Sequence, residues 1–298
     1  MNILLLGATG YVGRSVLSAL LARGHDVVAG IRDPSRADAL PAGVPVALTP
    51  LDEPDRVVAA ANNADTVVST AFPGHGLSWP DAVAVERTLH EAWASELRGT
   101  RLIVSNGTIF LGDSGSESLD ESRPVQPDHP AAGRAANVDV LRAAGLPTVE
   151  LRLASFVYGH GGSVFVPLLC QHAARTGRSI QVGSGEAILS AVHVDDAALA
   201  YVAAIEGPEA SGIYHVAADE RPRAKDLARA IAEATDAQVV EVDEAQAQSE
   251  LDPFTTQFLS TNNHLASNRI RQELTWRPQH GAGLLWEVAH GSYRDRQR

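Results

Sequence analysis

The stretch from Asn2 to Gly13 constrains this chain more than any other. Ile3 to Leu6 is a run of four apolar residues, the composition of a strand buried on both faces. It breaks at Gly7 into a pattern that turns helical from Arg14 onward, so the order is strand, glycine turn, helix. Gly7 permits the tight turn, Gly10 lets backbone N–H groups approach a pyrophosphate, and Gly13 lets the helix pack against the strand. The helix N-terminus then faces the phosphates with unpaired donors and the positive end of its dipole. A helix is predicted over Ser15 to Arg23, ended by Gly24, and a second apolar strand, Asp26 to Ile31, comes next. Together they make a βαβ unit of about 30 residues, with a dinucleotide on Gly7, Thr9, Gly10, Tyr11, Val12 and Gly13.

The residues after this unit extend the pattern. Arg32 and Arg36 stand at the end of the second strand, where an acid would select the ribose hydroxyl of NAD and arginine selects the 2′-phosphate of NADP. They favour NADP(H), with NAD(H) the alternative, and Asp33 between them can cap the turn at Pro34. Val44 to Leu48 reads as a third strand, Pro54 to Asn62 as a helix, and Asp65 to Ala71 as a fourth strand. A helix from Trp79 to Leu97 precedes a fifth strand, Arg101 to Ser105, which runs into Asn106, Gly107 and Thr108. Short apolar runs alternating with helices predict an α/β fold with a doubly wound parallel Rossmann sheet. Thr70, Ala71 and Phe72 would lie beside the middle of the cofactor, and polar residues ending a central strand mark the place for chemistry. The later chain reads as a strand over Ile213 to Val216 and a helix over Ala224 to Thr235. A loop-rich part is expected over Gln246 to Asn263, with terminal helices over Asn268 to Glu273 and Gly283 to Tyr293. The acidic stretch Glu117 to Glu121 is expected to be a solvated lid. The expected division is a dinucleotide-binding domain over 1–152, rejoined by 187–205, and a smaller substrate lobe over most of 153–298.

With 298 residues the chain can bury a large core. The formal charge of −12 argues against nucleic acid or an anionic membrane as partner. No apolar run approaches the roughly 18 residues of a membrane span, and Met1-Asn2 leads straight into the first strand, so a cytoplasmic location is expected. A small-molecule substrate is the expected partner, with a homodimer as the candidate assembly. Cys170 is the single cysteine and excludes an internal disulfide; Lys225 is the single lysine.

These residues resemble an extended or atypical short-chain dehydrogenase/reductase of the NAD-dependent epimerase/dehydratase family, over nearly the whole chain. The resemblance rests on Gly7-Ala8-Thr9-Gly10-Tyr11-Val12-Gly13, the strand end Val104-Ser105-Asn106, Leu151-Arg152 followed by Val157-Tyr158-Gly159, and Gly183-Ser184-Gly185. Val192-His193-Val194-Asp195-Asp196 and Leu274-Thr275-Trp276-Arg277-Pro278 complete it. It implies a Rossmann domain holding NAD(P) and a C-terminal lobe closing over the substrate.

The departures are as informative. The family's acid is a tyrosine four residues before a lysine. Here the tyrosine slot holds His129, Pro130 or Ala131 according to register, and the lysine slot Gly133, Arg134 or Ala135. Ser105, Asn106 and Thr108 occupy the region where relatives keep a hydroxyl on the reacting oxygen, and His129 could replace the tyrosine because imidazole titrates near neutrality. Asn106, Thr108 and His129 are therefore the candidate catalytic residues, with Ser105 placed beside the cofactor. Relatives that use nucleotide sugars have an asparagine where this chain has Phe156, and an arginine where it has Ala187 to Ala191. A smaller, more apolar substrate is expected, contacted by Phe72, Phe156, Tyr158, Phe165, Leu189 and His193. Leu51 and Asp52 are expected near the adenine, although Asp52 also suits the cap region before Pro54. His193 and Asp195 share a strand face, but no third metal ligand is evident nearby, and no metal is expected. The leading expectation is an NADP-dependent oxidoreductase acting on a carbonyl or related group. The alternatives are a redox-neutral epimerase or dehydratase type of enzyme and an NmrA-like sensor of NADP(H).

Overall fold

Alternating apolar side chains build a sheet with two covered faces. The computed structural model describes residues 1–74 and 76–295. Its strands are β1 (Asn2–Leu6), β2 (Asp26–Ile31), β3 (Val46–Leu48), β4 (Thr66–Ser69), β5 (Arg101–Asn106), β6 (Thr148–Leu153), β7 (Phe156–Tyr158), β8 (Arg178–Val182), β9 (Ala191–His193), β10 (Gly212–Val216) and β11 (Gln238–Val242). Among the described residues, seven of them form one parallel sheet in the order β10-β6-β5-β4-β1-β2-β3. Strand order reverses between β1 and β4, which opens a crevice at their carboxyl ends, where open α/β sheets bind ligands.

The strand period of two sorts the core. Ile3 and Leu5 face a cluster with Val16, Leu17 and Leu20 of α1 (Tyr11–Ala22). Leu4 and Leu6 face the opposite cluster, with Val57 and Val58 of α2 (Pro54–Ala61), Leu89 and Trp93 of α3 (Trp79–Glu96), and Leu141 of α4 (Ala132–Ala143). After β6 the chain builds the smaller lobe. It contains α5 (Val166–Thr176), the pair β7–β9, the pair β8–β11, α7 (Ala224–Thr235), α8 (Glu244–Glu250) and α9 (Pro253–Ser260). Between β9 and β10 the chain returns to the large sheet: α6 (Val194–Glu206) packs on α1, and β10 pairs with β6. The return therefore reaches Val216, farther than residues 187–205. Helices α10 (Asn268–Glu273), α11 (Gly283–His290) and α12 (Ser292–Asp295) close the chain. No helix among the described residues is long and apolar enough to cross a membrane.

Several expectations need correction. The first helix begins at Tyr11 because Gly10 already has the extended backbone of an N-cap. The third strand is three residues long, Val46–Leu48. The segment 246–263 is helical over most of its length: Asp243 and Asp252 accept the N–H groups of Gln246 and Thr255 and so cap α8 and α9. Glu117 to Glu121 is solvated only in part: Glu117, Ser118 and Asp120 are exposed, but the segment is tied down. Leu119 is buried and bridges to Leu265, and Glu121 accepts the His215 N–H at 2.9 Å.

Charges inside the fold are used structurally. Glu150, fully buried on β6, accepts Arg152 at 2.9 Å, Arg142 at 2.7 Å and the Asn106 amide at 3.0 Å. Burial alone would raise its carboxyl, but the two guanidinium groups outweigh that and hold it below the usual range. His215 on β10 is fully buried, and burial followed by the Arg152 guanidinium holds its imidazole at about 4. A histidine kept neutral in the fold is protonated first in the unfolded chain. Its contribution is complete above the ordinary value of 6.5 and is lost as pH falls toward about 4. Unfolding free energy from urea titrations is therefore expected to drop on the order of 3 kcal/mol across that window. His215→Asn, which keeps a donor for the Leu119 carbonyl, should flatten the drop; an unchanged slope would refute it.

Candidate functional site

The glycine turn is built by close approach. Gly7 has φ +79°, and a Cβ on Gly13 would lie 2.0 Å from the Gly7 carbonyl oxygen. That same oxygen accepts the Gly10 N–H at 2.8 Å. Gly10 caps α1 without a side-chain bond, so the first-turn N–H groups point outward into the crevice. Thr70 closes the other side by donating its hydroxyl to the Leu6 carbonyl at 2.9 Å.

A cavity of about 530 Å³ runs from this turn across the ends of β1, β2 and β3. The expected cofactor residues Gly7, Thr9 and Gly10 line it at the turn, Arg32 and Arg36 at one wall, and Leu51 and Asp52 at the far end. Thr70, Ala71 and Phe72 also border it. Both arginines are exposed, and neither has a carboxylate partner among the described residues. Asp33 is turned away to accept the Ser35 N–H at 2.9 Å, as expected of a cap. Thr49, which sequence reasoning missed, lines the same cavity; it is 3% exposed and its hydroxyl has no hydrogen-bond partner. An orphaned hydroxyl, a glycine cradle and an uncapped helix N-terminus together fit a dinucleotide.

Thr70, Ala71 and Phe72 also border a second chamber of about 300 Å³ between the sheet and the smaller lobe. Tyr11, Val12 and Ser105 lie on its sheet side. Its other wall is aromatic. Phe72 meets Trp79 at 5.0 Å, Trp79 meets Phe254 at 5.6 Å, and Phe254 and Phe165 both pack on Phe258, at 4.9 and 4.5 Å. Trp79, Phe254 and Phe258 were not foreseen. The i, i+4 pair Phe254 and Phe258 after the Asp252-Pro253 cap was the legible signal.

The structure separates the expected substrate contacts. Phe72 and Phe165 line the chamber. Phe156, Tyr158 and Leu189 lie in the core at 0–1% exposure. The cause is strand parity: on β7 the faces alternate, so Ser155 and Val157 look into the chamber and Phe156 and Tyr158 look away. His193 is outside the chamber as well. Its Nδ1 accepts the Asp195 N–H to cap α6, and its ring is stacked on His280 at 3.8 Å. Here the expected lack of a third group is corrected, because His160 Nε2 reaches Asp195 at 2.8 Å, gathering His160, His193 and Asp195. Burial, then His280, holds the His193 imidazole below its usual value.

Among the catalytic candidates, Asn106 and Thr108 border the chamber and His129 does not. Asn106 is committed: its amide donates to Glu150 and its carbonyl accepts the Gly107 N–H at 3.0 Å. Thr108 donates to the Asn263 side-chain oxygen at 2.9 Å. His129 accepts the Ala131 N–H on Nδ1 at the entry of α4 and touches the Gln257 amide of α9 with Nε2, so both nitrogens are engaged. Burial lowers its imidazole. The hydroxyl of Ser105 donates to the Ser69 carbonyl and meets Tyr201, each at 2.6 Å. Tyr11 is no substitute acid: it donates to the Gly159 carbonyl at 2.9 Å, and burial, then Tyr293, pushes its phenol far up.

A cation does stand in the chamber. Arg134 is held by Glu86 at 2.8 Å and by the Ser105 carbonyl at 3.0 Å, and its guanidinium lies 4.3 Å above the Phe72 ring. Glu86 is itself buried and bonded by Asn137 at 3.0 Å. One of the three residues in the lysine slot is thus a fixed positive charge at the junction of the two cavities.

Comparison with known proteins agrees with this geometry. Residues 7–184 match the NAD(P)H-binding family model. An uncharacterised protein of Schizosaccharomyces pombe is 32% identical, covering 98% of this chain and all of that one. A 3-diazoavenalumate denitrifying reductase of a Streptomyces species is also 32% identical, covering 94% of this chain and 97% of its own. Thermus thermophilus UDP-glucose 4-epimerase, solved with NAD, superposes with a TM-score of 0.76 at 22% identity over 99% of both chains.

The turn geometry is open to test. In Gly13→Ala the new methyl must displace the Gly7 carbonyl or push α1 off the strand. Dinucleotide affinity from fluorescence titration is expected to fall by more than about tenfold with an unchanged far-UV circular dichroism spectrum. Unaltered affinity would mean that the turn is not the phosphate cradle.

Proposed function

We infer the activity from the premise that this chain belongs to the NAD(P)H-binding family, with the fold of the epimerase/dehydratase type of short-chain dehydrogenase/reductase. It is an NADPH-dependent reductase of a small, largely apolar and aromatic metabolite, reducing a carbonyl or related electrophilic group. The observation that carries this reading is the aromatic chamber opening directly onto the dinucleotide cleft across Thr70, Ala71 and Phe72. NADPH, when bound, supplies the hydride. Gly7, Gly10 and the first turn of α1 would hold the pyrophosphate, Thr49 the adenosine end, and Arg32 and Arg36 the 2′-phosphate. Arg134 would supply positive charge at the nicotinamide end in place of the family's lysine. The Phe72, Trp79, Phe165 and Phe254 faces would exclude water and orient a flat substrate. A nucleotide sugar suits this chamber poorly, because the wall is apolar and Arg134 is already bound to Glu86.

A second reading rests on the protons. Among the described side chains lining the chamber, the weak acid is Tyr11, and burial pushes its phenol far above neutrality. Reduction of a ketone takes a hydride on carbon and a proton on oxygen, which here must come from water. An aryl diazonium takes the hydride on carbon and releases dinitrogen, with no proton from the protein. The Streptomyces relative is named for acting on a diazo compound, which supports testing this class alongside ketones.

Absorbance at the reduced nicotinamide band, followed with a panel of aromatic ketones, diketones and aryl diazonium salts, is expected to show NADPH oxidation. Sugar nucleotides should give none. Tight NADPH binding without turnover of any apolar electrophile would favour the sensor, and turnover without net NADPH change the redox-neutral enzyme. Separately, Arg32→Ala and Arg36→Ala should each weaken NADPH by roughly tenfold or more while leaving NADH unchanged, the loss expected for one charge-assisted phosphate contact. Equal loss for both nucleotides would end the NADP assignment.

A further inference from the structure

Asn263 lies 2% exposed behind the chamber, and its side-chain oxygen is approached by three hydroxyls: Thr108, Ser155 and Ser190, each at 2.9 Å. An amide oxygen has two lone pairs in its plane, so it accepts two such protons well and a third poorly. Turning the amide over does not relieve this, because its nitrogen donates to the Thr108 carbonyl at 3.3 Å, and the flip would set two oxygens against each other.

Burial decides which hydroxyl is left over. Ser190 is 2% exposed, its oxygen already accepts the Ser155 N–H at 3.0 Å, and among the described residues the acceptor of its proton is Asn263. Thr108 is 1% exposed, and its alternative, the Leu153 carbonyl, is 3.5 Å away. Ser155 is half-buried and lines the aromatic chamber. Its proton is the one free to turn.

We propose that Ser155 is the hydrogen-bond donor that receives the acceptor atom of the substrate, a ketone oxygen in the first instance, with Asn263 and Ser190 as its positioning residues. The inference rests on the reductase reading for its substrate class. Thr108 and Ser190 keep the Ser155 hydroxyl turned outward by filling the two lone pairs of Asn263 without it. A chamber whose weak acid Tyr11 is held far above neutrality then still has a neutral hydroxyl to hold and polarise a carbonyl, and water supplies the proton that the product alcohol retains.

The test separates this proposal from turnover. Protein saturated with NADP⁺ is titrated with 1-phenylpropan-1-one and with propylbenzene, its counterpart lacking the oxygen, and binding is followed by tryptophan fluorescence. Wild type is expected to prefer the ketone by about tenfold, and Ser155→Ala to lose that preference while Ser155→Thr keeps most of it. Ser190→Ala, which frees a lone pair on Asn263 and lets Ser155 turn inward, should weaken ketone binding in the wild-type background and have no further effect in Ser155→Ala. The proposal is overturned if Ser155→Ala keeps the preference, if wild type shows none or binds neither probe, or if the variant loses NADP⁺ affinity instead. NADPH oxidation by wild type, measured separately with the same ketone and the wider panel, tests the reductase reading alone.

Discussion

The contact between Gly7 and Gly13 sets the geometry on which the dinucleotide cleft depends. With no Cβ on either residue, the first turn of α1 comes close enough to the end of β1 for the Gly7 carbonyl to be shared with the Gly10 N–H. That closeness aims the helix N-terminus at the crevice and brings Tyr11 and Val12 to the border of the second chamber. Gly30 repeats the device on β2, where a Cβ would lie 2.8 Å from both Leu6 and Thr49. Two tight approaches therefore shape the floor of the nucleotide cavity, and the side chains above it only finish the selection.

Elements whose signal is local were legible. The first strand, its turn and the helix Ala224–Thr235 could be read directly, because apolar periodicity and caps are written in adjacent residues. The family resemblance and the parallel sheet agree with the matched family and superposed fold. The segment 246–263 was misread because its polar surface residues outnumber the apolar ones, and its helices bury only part of one side. The caps Asp243 and Asp252 were the stronger evidence. Where β10 pairs depends on distant contacts, so an apolar run at Ile213–Val216 could announce a strand but not its neighbour β6.

The candidate site was legible in its nucleotide half and only in part elsewhere. The expected cofactor residues that line the first cavity sit within a few places of a motif, whereas the chamber is assembled from widely separated parts of the chain. Trp79 of α3 and Phe254 of α9 are far apart in the sequence and lie 5.6 Å apart in space. On β7 a shift of one residue decided everything: the motif points to Phe156 and Tyr158, but parity turns Ser155 and Val157 to the cavity. A motif names a strand without saying which of its faces is wet.

The remaining charges explain why the chemistry cannot be taken over unchanged from the resemblance. Glu150 is surrounded by Arg152, Arg142 and Asn106, and Glu86 by Arg134 and Asn137, so both of these buried acids are neutralised and bound. The imidazoles of His129 and His193 serve helix entries. What faces the second chamber is then a fixed guanidinium, a set of aromatic faces and neutral hydroxyls held by Asn263. Such a site stabilises by placement and excluded water rather than by moving a proton between titrating groups. On the proposed reading it would suit substrates whose acceptor carbon is already electrophilic, because among the described residues lining it the weak acid Tyr11 is held far above neutrality. On that reading, the loss of the tyrosine and lysine pair is thus a change in which electrophiles the fold would reduce, with the glycine turn and the dinucleotide cleft retained.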